Sequence, residues 1–300
     1  MRLPNFYAAG LILMTALASS CAGTTTPPLE WAQPISGSAD RVAVFSASAP
    51  DAVISGEVHA LRDTAPRTAL IIVGGSGMRT RADAAPAIPL FMDETLAVAI
   101  YDRRGNGQST GAFEVPDTEN TEWLVPAVAR DVTAVAKRLK QGGFDRVGLA
   151  GTSMGGWVNV AAAASSSDID FIICISGGAS TVGVSDAFDH YTNDGMSIDD
   201  AISRTCGYDG PSGYDPAADL AALRQPALWI FGDRDDSNPT VLDAETVRRF
   251  QAQGKDFELI ILPGVNHDLI TVENGEFNTD WLSAARDFIA GSKGALGQRP

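Results

Sequence analysis

The chain has 300 residues, 45% of them apolar, and carries 22 Lys and Arg against 37 Asp and Glu, for a formal charge of -15. This length and a mean hydropathy near zero exclude a fibrous or disordered chain and leave room for one large domain or two small ones. A chain this acidic repels phosphate backbones and anionic lipid surfaces, which argues against nucleic acid as a partner.

The first twenty residues differ from the rest. Met1 and Arg2 give a positive start, Phe6 to Ala18 is an apolar run, and small residues lead to Cys21. That layout is expected of a secretory signal, and the run is short of the roughly 20 residues that a membrane-spanning helix needs. Leu17-Ala18-Ser19-Ser20-Cys21 resembles the lipobox of bacterial lipoproteins, which implies lipidation of Cys21, an exported location in the periplasm or at the cell surface, and membrane association through that anchor. An ordinary cleaved signal with an incidental cysteine is the alternative. Residues 21–39, rich in Thr and Pro, are expected to act as a tether. The remaining cysteines, Cys174 and Cys206, either pair or stay free. The apolar setting of Cys174 in FIICIS favours a buried free thiol.

From residue 40 the chain alternates apolar, β-branched runs with helical patterns, which predicts a mainly parallel sheet with crossover helices. The predicted strands are RVAVFSAS, VISGEVHAL, ALIIVGG, LAVAIYD, RVGLAG, FIICISG, ALWIFGD and FELIILPG. The middle runs are continuously apolar, as strands buried on both faces are. The first two alternate more and are expected to form an antiparallel edge. In TEWLVPAVARDVTAVAKRLKQGG, residues Leu124, Val128, Val132, Val135 and Leu139 recur at helical spacing, with basic residues in the last turn and Gly142 as a stop. Further helices are predicted at MGGWVNVAAAAS, AETVRRFQAQG and TDWLSAARDFIAG. Residues 179–225, rich in Asp, Gly and Ser, read as a small cap, and 292–300 as a C-terminal tail to a domain spanning 40–291.

The stretch GLAGTSMGGW contains Gly151-Thr152-Ser153-Met154-Gly155, a G-x-S-x-G pattern between a predicted strand and a helix of small residues. A serine at such an elbow is held in a strained conformation, and glycines two residues to either side let the chains pass, so Ser153 is the candidate nucleophile. Trp157, just beyond, faces either a pocket or the sheet, with packing favoured.

With these residues the chain resembles the α/β-hydrolase superfamily. The resemblance implies an α/β-hydrolase fold with an eight-stranded, mostly parallel sheet, flanking helices and a small cap. It also implies a triad in the order nucleophile, acid, histidine. LWIFGDRDDSNP matches the strand-plus-acid segment through Gly232, Asp235 and Pro239, which makes Asp235 the acid, with Asp233 and Asp236 as close rivals. FELIILPGVNHDL ends a strand before His267, the implied general base. His59 and His190, the other two histidines, lie in an early strand and in the cap. The implied oxyanion hole takes one N-H from Met154 and one from ALIIVGGSG, where Ser76 is the expected donor and Gly75 the fallback. Gly74 stands where the family's His-Gly-x-Gly loop has His. YDRRGNGQS resembles the D-x-R-G-x-G-x-S segment through Asp102, Arg104, Gly105, Gly107 and Ser109, expected to form a buried hydrogen-bond network.

The resemblance implies acyl transfer without a metal or organic cofactor. Cleavage of carboxylic esters through an acyl-enzyme is the first expectation. A peptidase or amidase on the same fold, with Asp186, Asp189 or Asp194 capturing a substrate amine, is the second. A surface lipoprotein that binds a ligand or partner without turnover is the third. The specificity-determining pocket is expected beneath residues 179–225.

Overall fold

The computed structural model describes residues 29–31 and 40–291; Cys21, the signal and the tail 292–300 lie outside the described residues, as does most of the tether. An eight-stranded sheet carries the architecture. Its strands are β1 (Asp40–Ala49), β2 (Ala52–Leu61), β3 (Thr68–Val73), β4 (Leu96–Tyr101), β5 (Arg146–Thr152), β6 (Phe171–Ile175), β7 (Ala227–Gly232) and β8 (Phe257–Leu262). The order across the sheet is β1-β2-β4-β3-β5-β6-β7-β8. β1 and β2 pair antiparallel, β2 joins β4 antiparallel, and the rest run parallel. The eight predicted strands are these eight, and the alternating pair is the antiparallel edge.

Between β3 and β4 lie the single-turn helices α1 (Arg81–Ala84) and α2 (Ile88–Phe91), which the sequence did not predict. Helix α3 (Thr121–Gln141) joins β4 to β5, and α4 (Met154–Ser165) follows β5. The insertion between β6 and β7 folds as α5 (Val182–Asn193), α6 (Ile198–Thr205) and α7 (Ala217–Ala222). Helix α8 (Thr240–Ala252) follows β7 and begins earlier than its pattern predicted, directly after Pro239. A short hairpin of β9 (Ile270–Thr271) and β10 (Glu276–Phe277) precedes α9 (Leu282–Ile289).

The two-residue repeat of a strand sends alternate side chains to opposite faces. Ile71, Leu149, Cys174 and Trp229 therefore join α3, α4 and α8 in one core. Leu70, Ile72, Ile173 and Ile230 join α1, α2 and α9 in the other. In α3 the five predicted stripe residues, Leu124 through Leu139, are all buried. Each such aliphatic side chain contributes about 1.5–3 kcal/mol on leaving water. Packed on both faces, the central strands are held rigidly, and their C-terminal ends present Ser153, Ser176 and the loop from Asp233 to Pro239 along one edge.

Cys174 is buried and Cys206 exposed, both as free thiols. Burial pushes the Cys174 thiol well above its ordinary range. No helix among the described residues is long and apolar enough to cross a membrane.

Candidate active site

β5 ends at Thr152 and α4 begins at Met154, so Ser153 alone makes the turn, at φ 52° and ψ -122°. A side chain at positive φ costs on the order of 1–3 kcal/mol and persists only where its surroundings enforce it. Ser153 N-H donates to Ile175 O at 2.8 Å, and Ser153 O accepts from Gly156 N-H at 2.8 Å. The flanking glycines are required by contact. A Cβ on Gly151 would stand 2.4 Å from Gly155 O, and one on Gly155 would stand 2.3 Å from Val73 O. The sequence pattern and the strained geometry thus meet at the same residue.

Asp235 lies in the loop after β7 and His267 in the loop after β8. His267 Nδ1 is 3.0 Å from each Asp235 carboxylate oxygen, and the Asp235 side chain is fully buried. Asp235 Oδ1 also accepts from the backbone N-H groups of Ser237 at 2.9 Å and Asn238 at 2.7 Å. Asp233 instead accepts from Gly264 N-H at 2.6 Å, and Asp236 is exposed, so neither rival meets the imidazole. Burial opposes the charge on His267, but the hydrogen bond and charge of Asp235, aided by Asp268 and Asp236, outweigh it and raise its pKa above the ordinary value of 6.5.

Two supports of this pair carry no sequence signature. Ser176, buried and at φ 53°, donates from Oγ to His267 O at 2.8 Å and so holds the histidine loop against the end of β6. Asn238 donates to the buried Asp243 carboxylate and accepts from Ser185 Oγ at 2.8 Å, which ties the Asp235 loop to α8 and α5. Burial pushes Asp243 up to about 6, against the hydrogen bonds from Ser180 and Asn238.

Ser153 and His267 line two adjoining cavities. The smaller, about 180 Å³, lies under α5 and is walled by Trp157, Val182, Asp117, Asp186 and Asp189. Trp157 both packs in the core and walls this cavity, and its Nε1 donates to Ser180 O at 2.6 Å. Asp194 lines neither cavity and sits near the exposed His190 instead. The larger cavity, about 560 Å³, is walled by Ile72, Met78, Ala87, Leu90, Phe91, Leu269 and Trp281, with Phe277 at its rim. It opens between the Pro86–Ala87 turn with α2 and the segment from Leu269 to α9, away from residues 179–225. The small cavity lies where the pocket was expected, beneath residues 179–225; the large one is a second pocket outside that segment, and its apolar walls come mainly from side chains rooted in the opposite core layer.

Ser76 lines both cavities, and Met154 follows the elbow. A Cβ on Gly75 would stand 3.1 Å from Thr152 O and 3.2 Å from Ser153 Cβ, so this loop rests on the elbow. Neither Ser76 N-H nor Met154 N-H donates a hydrogen bond to another described residue. The Asp102 segment forms a buried network beside the site. Asp102 accepts from Arg81 N-H and Gln108 N-H at 2.9 Å, Ser109 Oγ donates to Asp102 O at 2.6 Å, and Arg104 grips Asp131 at 2.7 and 2.8 Å. His59 meets Glu57 at 2.9 Å within β2. No cluster of three metal-ligating side chains occurs among the described residues.

This fold, with a serine elbow at the end of β5, defines an α/β-hydrolase. The chain belongs to the prolyl oligopeptidase family, whose model matches residues 85–294, and is a serine hydrolase by that membership. Among solved structures it is similar to an esterase of Pyrococcus furiosus, at 19% identity and a TM-score of 0.64 over 89% of this chain and 92% of that one. A proline iminopeptidase of Mycobacterium smegmatis aligns at 17% identity and a TM-score of 0.58, covering 83% and 98%. An α/β serine hydrolase without a lid from Xanthomonas campestris aligns at 18% identity and a TM-score of 0.52, covering 84% and 93%. No curated protein matches the chain.

Proposed function

We propose that the protein hydrolyses carboxylic esters through an acyl-enzyme. The carrying observation is that His267, held from behind by the buried Asp235, lines the same two cavities as the strained Ser153. Asp235 holds Nδ1 of His267, which leaves Nε2 to take the Ser153 proton as Oγ bonds to the substrate carbonyl carbon. The Ser76 and Met154 N-H groups receive the oxyanion, and His267 returns the proton to the departing alkoxide as the carbon-oxygen bond breaks. Water, deprotonated by His267, then attacks the acyl group and releases Ser153 and the acid. The large apolar cavity favours an ester with an uncharged hydrocarbon arm.

A second reading has a specific observation in its favour. Asp117, Asp186 and Asp189 face the small cavity beside Ser153, where they suit a protonated amine on an amide or peptide substrate. A panel of 4-nitrophenyl acyl esters against aminoacyl 4-nitroanilides separates the two. The ester reading predicts kcat/KM at least about a hundredfold higher on the esters, after correction for leaving-group reactivity in buffer. Equal or higher efficiency on the anilides would overturn it in favour of the amidase.

A further inference from the structure

Two adjacent arginines follow β4, and only one has an acid. Arg104 is bound through two bonds to Asp131, whereas Arg103, also buried, has no carboxylate within 4.0 Å among the described residues. Its Nη1 donates to Gly75 O at 3.2 Å and its Nη2 contacts Met154 Sδ at 3.2 Å. Burial lowers its pKa from the ordinary arginine value, yet a guanidinium stays protonated throughout the working range. A buried charge with no carboxylate in contact is costly, and this one persists at the back of the elbow with Asp131 attracting it only from beyond ion-pair distance.

The partners of Arg103 identify its use. Gly75 O and Ser76 N-H are the two ends of one planar peptide unit, pointing in opposite directions. Gly75 O accepts from both Arg103 and, at 3.2 Å, Met78 N-H, which fixes the carbonyl end and therefore the N-H end. That N-H has no acceptor among the described residues and lies on the loop resting on Ser153. The same guanidinium touches the side chain of Met154, the residue that follows the nucleophile.

We propose that Arg103 is the positioning residue of the oxyanion hole, fixing the Gly75–Ser76 peptide and Met154 from behind and setting a positive charge across that peptide from the developing oxyanion. The role rests on the acyl-transfer reading above. Donors on a carbonyl polarise the whole amide and strengthen its N-H as a donor. The substrate carbonyl is neutral in the ground state and anionic in the transition state, so the effect falls on kcat.

The test compares the full-length protein with Arg103→Met and Arg103→Lys on a 4-nitrophenyl ester, together with the affinity of each for an alkylboronic acid, which forms an anionic tetrahedral adduct on serine. Losing an oxyanion donor outright costs about 10²–10³ in kcat, and a group acting through that donor is expected to cost about 10–100-fold. Arg103→Met should lower kcat by that factor with KM within twofold, and weaken boronate binding in parallel. Arg103→Lys, which keeps the charge and loses the fork, should fall between and serves if the Met variant fails to fold. Wild-type kcat in either folded variant, or a loss of thermal stability with kcat and boronate affinity retained, would overturn the role and mark Arg103 as structural. A wild-type protein that neither turns over esters nor binds boronate would instead remove the acyl-transfer reading, and this role with it.

Discussion

The two cavities at Ser153 differ in size, wall chemistry and origin, although they share the nucleophile and the histidine. The small one is bounded by α5 and the loop before α3, whose carboxylates suit a cation and repel an anion. The large one is bounded by Met78, the turn before α2, α2 and the segment leading into α9, whose side chains offer mostly apolar surface, with the Asp268 carboxylate among them. In the proposed mechanism the reactive groups sit in the turns directly after β5, β7 and β8, whereas the walls that tell the two cavities apart come mainly from α2, α5 and the segment leading into α9. On that reading chemistry and selectivity reside largely on different parts of the chain, and substitutions can separate them.

The largest expected effect treats both cavities alike. Asp235→Asn removes the group that orients His267 and should lower kcat/KM for every substrate by about 10⁴-fold, as expected for loss of the correct tautomer. It also sharpens a pH argument. His267 titrates above 6.5 in the folded protein, so the wild-type profile should lose activity as pH falls, with a midpoint above that value. In the Asn variant, burial of the imidazole is no longer outweighed by Asp235, and the acid limb of the residual activity should move to lower pH. An unchanged limb would separate Asp235 from the titrating histidine. For stability the sign is opposite to that of the catalytic base: a raised histidine pKa contributes below 6.5, and the contribution is lost as pH rises through the folded value.

A smaller effect distinguishes the cavities. An apolar arm entering the large one gains about 0.8 kcal/mol per CH₂, roughly a factor of four in kcat/KM. The efficiency of 4-nitrophenyl esters should therefore climb from acetate towards octanoate. Ala87→Trp, which fills that cavity, should cut the octanoate-to-acetate ratio by about tenfold or more. Asp186→Asn, across the nucleophile, should leave the ratio within about twofold. Were Asp186→Asn to change the ratio and Ala87→Trp not, the apolar arm would have to lie under the cap instead.

The sheet was legible because its central strands are buried on both faces and so run continuously apolar, while β1 and β2 alternate and declare an edge. The elbow was legible because only glycine fits at Gly151 and Gly155, and that requirement leaves a pattern in the sequence. The acid was narrowed to three neighbouring aspartates, and the loop geometry separates them: Asp235 turns inward to His267, and Asp233 caps the Gly264 turn. The walls of the large cavity left no trace, because Ala87, Leu269 and Trp281 are ordinary core residues until the fold brings them together around Ser153. Arg103 was hidden for a related reason. It occupies the variable position beside Arg104, and its partner is a backbone carbonyl, which no side-chain pattern records.

Ser153 as an activated nucleophile is the claim on which the rest depends. Reaction of the native protein with a fluorophosphonate, followed by peptide mass spectrometry, tests it most directly. One adduct per chain, on Ser153 and abolished by Ser153→Ala, is the predicted result. A folded protein that remains unmodified, or an adduct on another residue with Ser153 untouched, would contradict it.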